Sequence, residues 1–186
     1  MSTKHSKAAA RFIGNRKQEA WHDETLWMVR VKRDKMSHSL PEWERLRELA
    51  CEIKLYSNSH LDVLLEEFEK NATANGAIVH WAKDAAEHNA IVEEILQQHK
   101  AHTLIKSKSM LTEECGMNDY LFGKGYDIIE SDLGERILQW MKLHPSHIVM
   151  PAIHIKRQEV GEMMERVLGT EKGNSDPTYL THAARQ

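Results

Sequence analysis

Lys106, Ser107, Lys108 and Ser109 stand in a row, two cations alternating with two hydroxyls. Ammonium and hydroxyl groups both donate hydrogen bonds, so four in succession suit a carboxylate or a phosphate. Glu113 and Glu114 follow soon after, and Asp132 and Glu135 form a second acidic pair further on. Carboxylates within reach of Lys106 and Lys108 could act as general acids and bases or as ion-pair partners. No third member of a catalytic set accompanies them, so ion pairing is the plainer reading. Thr112 also reads as a simple helix cap.

Histidine is abundant, with twelve copies. His144 and His147 are three apart, but Pro145 between them prevents a shared helical face. No HExxH or comparable ligand set occurs, so no metal site is expected. His154 stands out because it follows an apolar strand-like run, beside Pro151, Lys156 and Arg157. Pairing it with Ser109 as base and nucleophile would leave the site without oxyanion donors. Gly123–Lys124–Gly125 is too short for a dinucleotide-binding loop, and no phosphate-binding GxxxxGK is present. The candidate ligand-binding residues are therefore Lys106, Ser107, Lys108, Ser109, Glu113, Asp132, Glu135 and His154. No catalytic role is assigned to any of them.

These residues need elements to hold them. Residues 1–75 read as a helical N-terminal region, nearly free of glycine. Pro41 suits the first turn of a helix whose apolar stripe is Trp43, Leu46, Leu49, Ala50 and Ile53. Ser57–Asn58–Ser59 should break that helix, with Ser59 and Asp62 as a capping pair for the next. Leu61, Leu64, Leu65 and Phe68 make the second stripe, ended by Asn75–Gly76. From residue 76 onward the period changes. The stretches 77–82, 102–107, 126–131 and 147–151 read as short strands, with amphipathic helices between and after them. This alternation predicts an α/β fold with a parallel βαβ sheet. In such a sheet ligands bind beyond the carboxyl ends of the strands, which is where the four-residue Lys/Ser run falls. The start of the following helix would add backbone N–H groups to the same spot.

The chain has 186 residues, 41% of them hydrophobic and 28% charged, as in a soluble globular protein. No apolar run approaches the ~20 residues of a membrane span, and the first thirty residues lack a secretory h-region. Two isolated cysteines, Cys51 and Cys115, fit a reduced, cytoplasmic setting. Residues 1–36 carry a net +5 and the remainder a net −8. Such a basic arm could touch nucleic acid or an acidic partner. Its aromatics are sparse for a stacking platform, and a solvated helical arm with no nucleic-acid partner is the expectation.

Four blocks then carry a resemblance: VHWAKDAAEHNAIV, KSKSMLTEECGMNDYL, ESDLGERILQW and PSHIVMPAIHIKRQEV. In combination and spacing they are similar to the lactate-utilisation (LUD) domain family, and AAARFIGNRKQEAW extends the likeness into the helical lead-in. The resemblance implies a bacterial, cytoplasmic component of a system that oxidises L-lactate to pyruvate with electron transfer, acting with other lactate-utilisation subunits. It also implies a fold like the CoA-transferase and sugar-phosphate isomerase superfamily. Longer family members continue into a cysteine-rich region with iron–sulfur clusters, whereas this chain supplies no cofactor ligands of its own. Residues 76–186 are then expected to be the first part of a LUD domain, truncated within a helix opening at Asp176–Pro177. A thin parallel sheet cut at its edge should self-associate. Two rival readings stay open: a non-enzymatic assembly scaffold, and a stand-alone α/β domain binding a small carboxylate or phosphate.

Overall fold

The computed structural model describes residues 5–185. In chain order the elements are α1 (His5–Gly14), α2 (Arg16–His38), α3 (Trp43–Ser59), α4 (Leu61–Ala74), α5 (Ala85–Gln98) and β1 (Thr103–Lys106). There follow α6 (Met110–Glu114), α7 (Met117–Gly123), β2 (Asp127–Glu130), α8 (Leu133–Met141), α9 (Arg157–Leu168) and α10 (Pro177–Ala184). Leu26–Ala82 forms one compact unit, and the rest of the described chain forms another.

In the Leu26–Ala82 unit, α3 and α4 bury none of their residues. Their expected stripes are present but face outward: Leu46, Leu49, Ile53, Leu61 and Phe68 are all exposed. The helix break falls later than expected. α3 continues through Ser59, whose hydroxyl donates to the Tyr56 carbonyl at 3.0 Å, and the chain turns at His60 instead. Ser59 therefore spends its hydroxyl inside the helix that it was expected to cap out of. Pro41 lies in the turn ahead of α3 rather than at its first position.

The second unit holds the sheet, which is a single parallel pair pairing Thr103 with Asp127 through Lys106 with Glu130. The α/β alternation is present, on two strands rather than four. Residues 77–82, which belong to the Leu26–Ala82 unit, run as irregular chain, with Ile78 82% exposed and no strand paired with them among the described residues. At 147–151 the cause is visible. The imidazole Nδ1 of His147 accepts from the N–H groups of both Val149 and Met150 at 3.1 Å. Ser146 N–H donates to the Pro151 carbonyl, closing the loop. The side chain thus captures the donors that a ladder would need, and Pro151 has none to give.

Around the pair, two apolar clusters form. Leu96 of α5, Met117 and Leu121 of α7 and Ile128 of β2 pack together. Ile137 of α8, Met163 and Met164 of α9 and Leu180 of α10 make the other. Side-chain caps fix where helices start: Asp84 for α5, Asp132 for α8, and Asp176 ahead of Pro177 for α10. The helix expected between the strand-like stretches 102–107 and 126–131 is split into α6 and α7 by Gly116, whose φ of 62° turns the chain left-handed. Among the described residues no helix is long and apolar enough to cross a membrane.

Candidate functional site at the strand ends

Lys106 and Glu130 are the last residues of β1 and β2, and the register sets them side by side. Alternation puts them on the face that carries Leu104 and Ile128, so both point inward. Their Nζ and Oε1 atoms lie 2.6 Å apart, with the side chains only 9% and 3% exposed. Removing two charges from water is costly, and further polar partners must offset it. Asn118 of α7 supplies one, its Nδ2 donating to Glu130 Oε1 at 2.8 Å and to Glu113 Oε1 at 3.1 Å. The Lys106 ammonium also donates to Thr112 Oγ1 at 3.1 Å and lies 3.5 Å from Glu113 Oε1. Gln139 of α8 ties the far side of the strand, donating to the Ile128 carbonyl at 2.6 Å.

Glu135 enters from the first turn of α8. Asp132 Oδ1 accepts from its N–H at 3.1 Å and so fixes that turn. The Glu135 side chain is buried, and neither of its carboxyl oxygens has a hydrogen-bond partner. Glu130 Oε2 is equally without one. Burial, the neighbouring Glu130 carboxyl and, more weakly, Asp132 push the Glu135 pKa up to about 7, against the opposing pull of Lys106. A proton on Glu135 resolves the arrangement. It turns one orphaned oxygen into a donor that Glu130 Oε2 can accept, and it removes one of two buried like charges.

Beside these groups is a cavity of about 690 Å³. Glu113, Asn118, Asp119, Glu130, Glu135, Gln139, Lys142 and His144 give its polar wall, and Phe122, Leu138, Leu143 and Pro145 its apolar one. Lys142 reaches this wall from a left-handed backbone position (φ 55°) at the end of α8, a conformation uncommon for a side chain of its size.

The structure brings Lys106, Glu113 and Glu135 together. Lys108 and Asp132 form a neighbouring pair at 3.5 Å, and the Lys108 ammonium donates to the Val149 carbonyl at 3.0 Å. The two strand-end groups thus share one rim of the sheet. Ser109 caps α6, its hydroxyl accepting from Thr112 N–H at 3.5 Å. Ser107 is exposed, with no hydrogen-bond partner among the described residues. His154 joins neither group. It is buried, its Nδ1 is 2.7 Å from Ser146 Oγ, and its ring meets that of His22 at 6.5 Å. Burial first, and then the His22 charge, hold its pKa below the usual histidine value.

Glu130 is the central residue that reading the sequence for strand-end donors underweights. Its signal was available: in Asp127–Glu130 it shares a face with Ile128, and a carboxylate at an inward position needs a partner. Asn118, Gln139 and Lys142 carry no comparable signal, because only the fold aims them.

An iron–sulfur cluster does not fit the residues of this chain. It has two cysteines against the usual four ligands, and Cys51 and Cys115 belong to different units.

A match to the family described as LUD domain covers residues 65–184. Three curated relatives align over most of the chain. "Lactate utilization protein B" from Macrococcus caseolyticus (strain JCSC5402) is 37% identical over 159 residues, 85% of this chain and 33% of the relative. "Uncharacterized electron transport protein YkgF" from Escherichia coli (strain K12) is 37% identical over 158 residues, 85% of this chain and 33% of the relative. "Lactate utilization protein B" from Exiguobacterium sp. (strain ATCC BAA-1283 / AT1b) is 40% identical over 147 residues, 79% and 31% respectively. The chain spans about a third of the length of these relatives. No solved structure matches it.

Proposed function

This chain belongs to the LUD domain family, and from that premise we propose that it works in L-lactate utilisation, as part of a cytoplasmic system that oxidises lactate to pyruvate and passes the electrons on. The names of its relatives support the role, one of them also naming electron transport. The observation that carries the proposal to particular residues is the Lys106–Glu130–Glu135 cluster at the carboxyl ends of the parallel strands. A buried carboxyl whose pKa stands at about 7 can give or take a proton at the pH of the cell. Oxidising a hydroxyl to a carbonyl releases such a proton. Glu135 is the residue we assign to hold it, with the Lys106–Glu130 pair fixed beside it at 2.6 Å. The electron acceptor belongs to other subunits or to parts of the system outside this chain, where the iron–sulfur clusters are expected.

Deleting the coding sequence of this chain from its cell of origin should abolish growth on L-lactate and leave growth on pyruvate intact. Unimpaired growth on lactate would overturn the role.

A second reading is favoured by one observation, the outward-facing apolar residues of α3 and α4. On that reading the chain is an assembly module that docks other lactate-utilisation subunits, and the strand-end cluster is only a structural clamp. Glu135→Gln separates the two. Lost lactate oxidation with assembly intact supports the site, and full oxidation with Glu135→Gln supports the module.

A further inference from the structure

Carboxylic acids are ionised at neutral pH, so a site for lactate must hold an anion as well as receive the proton of the hydroxyl. The strand-end lysines are not free to do so. Lys106 is held by Glu130 at 2.6 Å, and Lys108 by the Val149 carbonyl and Asp132. Glu113, Asp119, Glu130 and Glu135 line the cavity, and carboxylates repel an incoming carboxylate. Lys142 brings the one ammonium among the lining residues, and that ammonium has no ion pair or hydrogen bond among the described residues. It is also held where a lysine is costly. α8 ends in a left-handed cap, in which Leu143 N–H donates to the Leu138 carbonyl at 2.9 Å and Lys142 N–H to the Gln139 carbonyl at 3.2 Å, with Lys142 at φ 55°. Glycine is the usual residue at that step, and Gly169 takes it at the end of α9. Residues kept in such a conformation gather at active sites and ligand clamps.

We infer that Lys142 determines the specificity of this site. Its ammonium receives the carboxylate of a short 2-hydroxycarboxylate, which sets the hydroxyl towards Glu135 and the alkyl group against Leu138 and Leu143 of the same helix end. The inference rests on the lactate reading above and adds to it the residue that selects an acid over a neutral alcohol. Lys142 binds and orients, and no bond is made or broken there. In a wall otherwise acidic, one cation fixes which end of the substrate meets it, because the carboxylate is repelled elsewhere.

The experiment is titration calorimetry and thermal unfolding of the full chain with L-lactate, and with methyl lactate as the probe that lacks the charge. L-Lactate should bind saturably, and methyl lactate about tenfold more weakly. Lys142→Gly relieves the backbone and removes the ammonium. It should raise the melting temperature by about 2–4 °C and yet weaken L-lactate binding about tenfold. Lys142→Met keeps the left-handed cost and should weaken binding equally with no gain in melting temperature. Lys142→Arg should retain most of the affinity. Lys100 adopts the same backbone, φ 52°, outside the lining of this cavity. Lys100→Gly is therefore the matched control, gaining the same melting temperature with lactate binding unchanged. Wild-type L-lactate affinity in Lys142→Gly or Lys142→Met, equal binding of methyl lactate, or no binding of L-lactate to the wild-type chain would each overturn the inference. Growth separates it from the role it rests on. Lys142→Met cells should grow at high but not at low L-lactate, since affinity is what they lose. Normal growth of Lys142→Met at low lactate, with Glu135→Gln cells unable to grow, removes Lys142 and leaves the role standing.

Discussion

Glu135 and Glu130 place two carboxyl groups where water scarcely reaches, with one ammonium between them and the surrounding polar groups. The sign of the consequence follows from the raised Glu135 pKa. The folded chain binds more protons than the unfolded chain between the ordinary carboxyl value of 4.5 and about 7. Its stability therefore falls as pH rises through that window, by up to about 3 kcal/mol from this group. Glu135→Gln supplies a permanent donor to Glu130 in the same shape. Urea unfolding should show it more stable than wild type at pH 8 and much flatter between pH 5 and 8. A variant that is less stable at pH 8 would contradict the shared proton. His154 acts in the opposite direction, since its depressed pKa makes the fold lose stability as pH falls below the ordinary 6.5. Lys106→Met leaves Glu130 buried and uncompensated, at an expected cost of about 3–5 kcal/mol. The double variant Lys106→Met/Glu130→Met should recover much of that loss in the same measurement. Of this site, the sequence disclosed Lys106, Glu113 and Glu135 through strand-end position and charge. It did not disclose that Lys106 is already paired, because that depends on the register of β1 against β2.

Elements were legible where local chemistry and apolar period agree. Asp84 and Asp132 each cap a helix that the apolar spacing also predicts, and Asp176 caps the helix expected to open at Asp176–Pro177. β1 and β2 were legible because each finds the other. The stretches 77–82 and 147–151 have the same β-rich composition, but composition cannot reveal whether a partner strand exists or whether His147 will claim the backbone donors. One close approach also escapes any sequence reading. A Cβ added at Gly161 of α9 would stand 2.5 Å from the Asn174 carbonyl oxygen, a backbone atom. Gly161→Ala therefore forces the 169–176 connection off α9, despite alanine's better helix propensity. Thermal or urea unfolding should register a loss of about 1–3 kcal/mol. A gain would mean that this contact is not present in solution.

At the scale of the whole molecule, exposed apolar surface sets the expectation. Trp27, Val31, Met36, Ile53, Leu55 and Phe68 of the Leu26–Ala82 unit are all more than half exposed. β1 adds Ile105, which is 67% exposed on the open face of a two-stranded sheet. Such surface is normally covered. Sedimentation velocity from dilute to concentrated protein should show association that grows with concentration, and weakens when Ile53 and Phe68 are replaced by serine. A compact monomer at every concentration would contradict this. The role proposed for the strand-end cluster rests on one chemical claim, that Glu135 holds a proton near neutral pH. The most direct measurement is the carboxyl carbon shift of ¹³C-labelled Glu135, followed by NMR across pH 4 to 9 with Glu135→Gln as the assignment control. A midpoint near 7 that falls when Glu130 is replaced by glutamine is the predicted result. A midpoint in the ordinary carboxylate range, unmoved by that replacement, would contradict it.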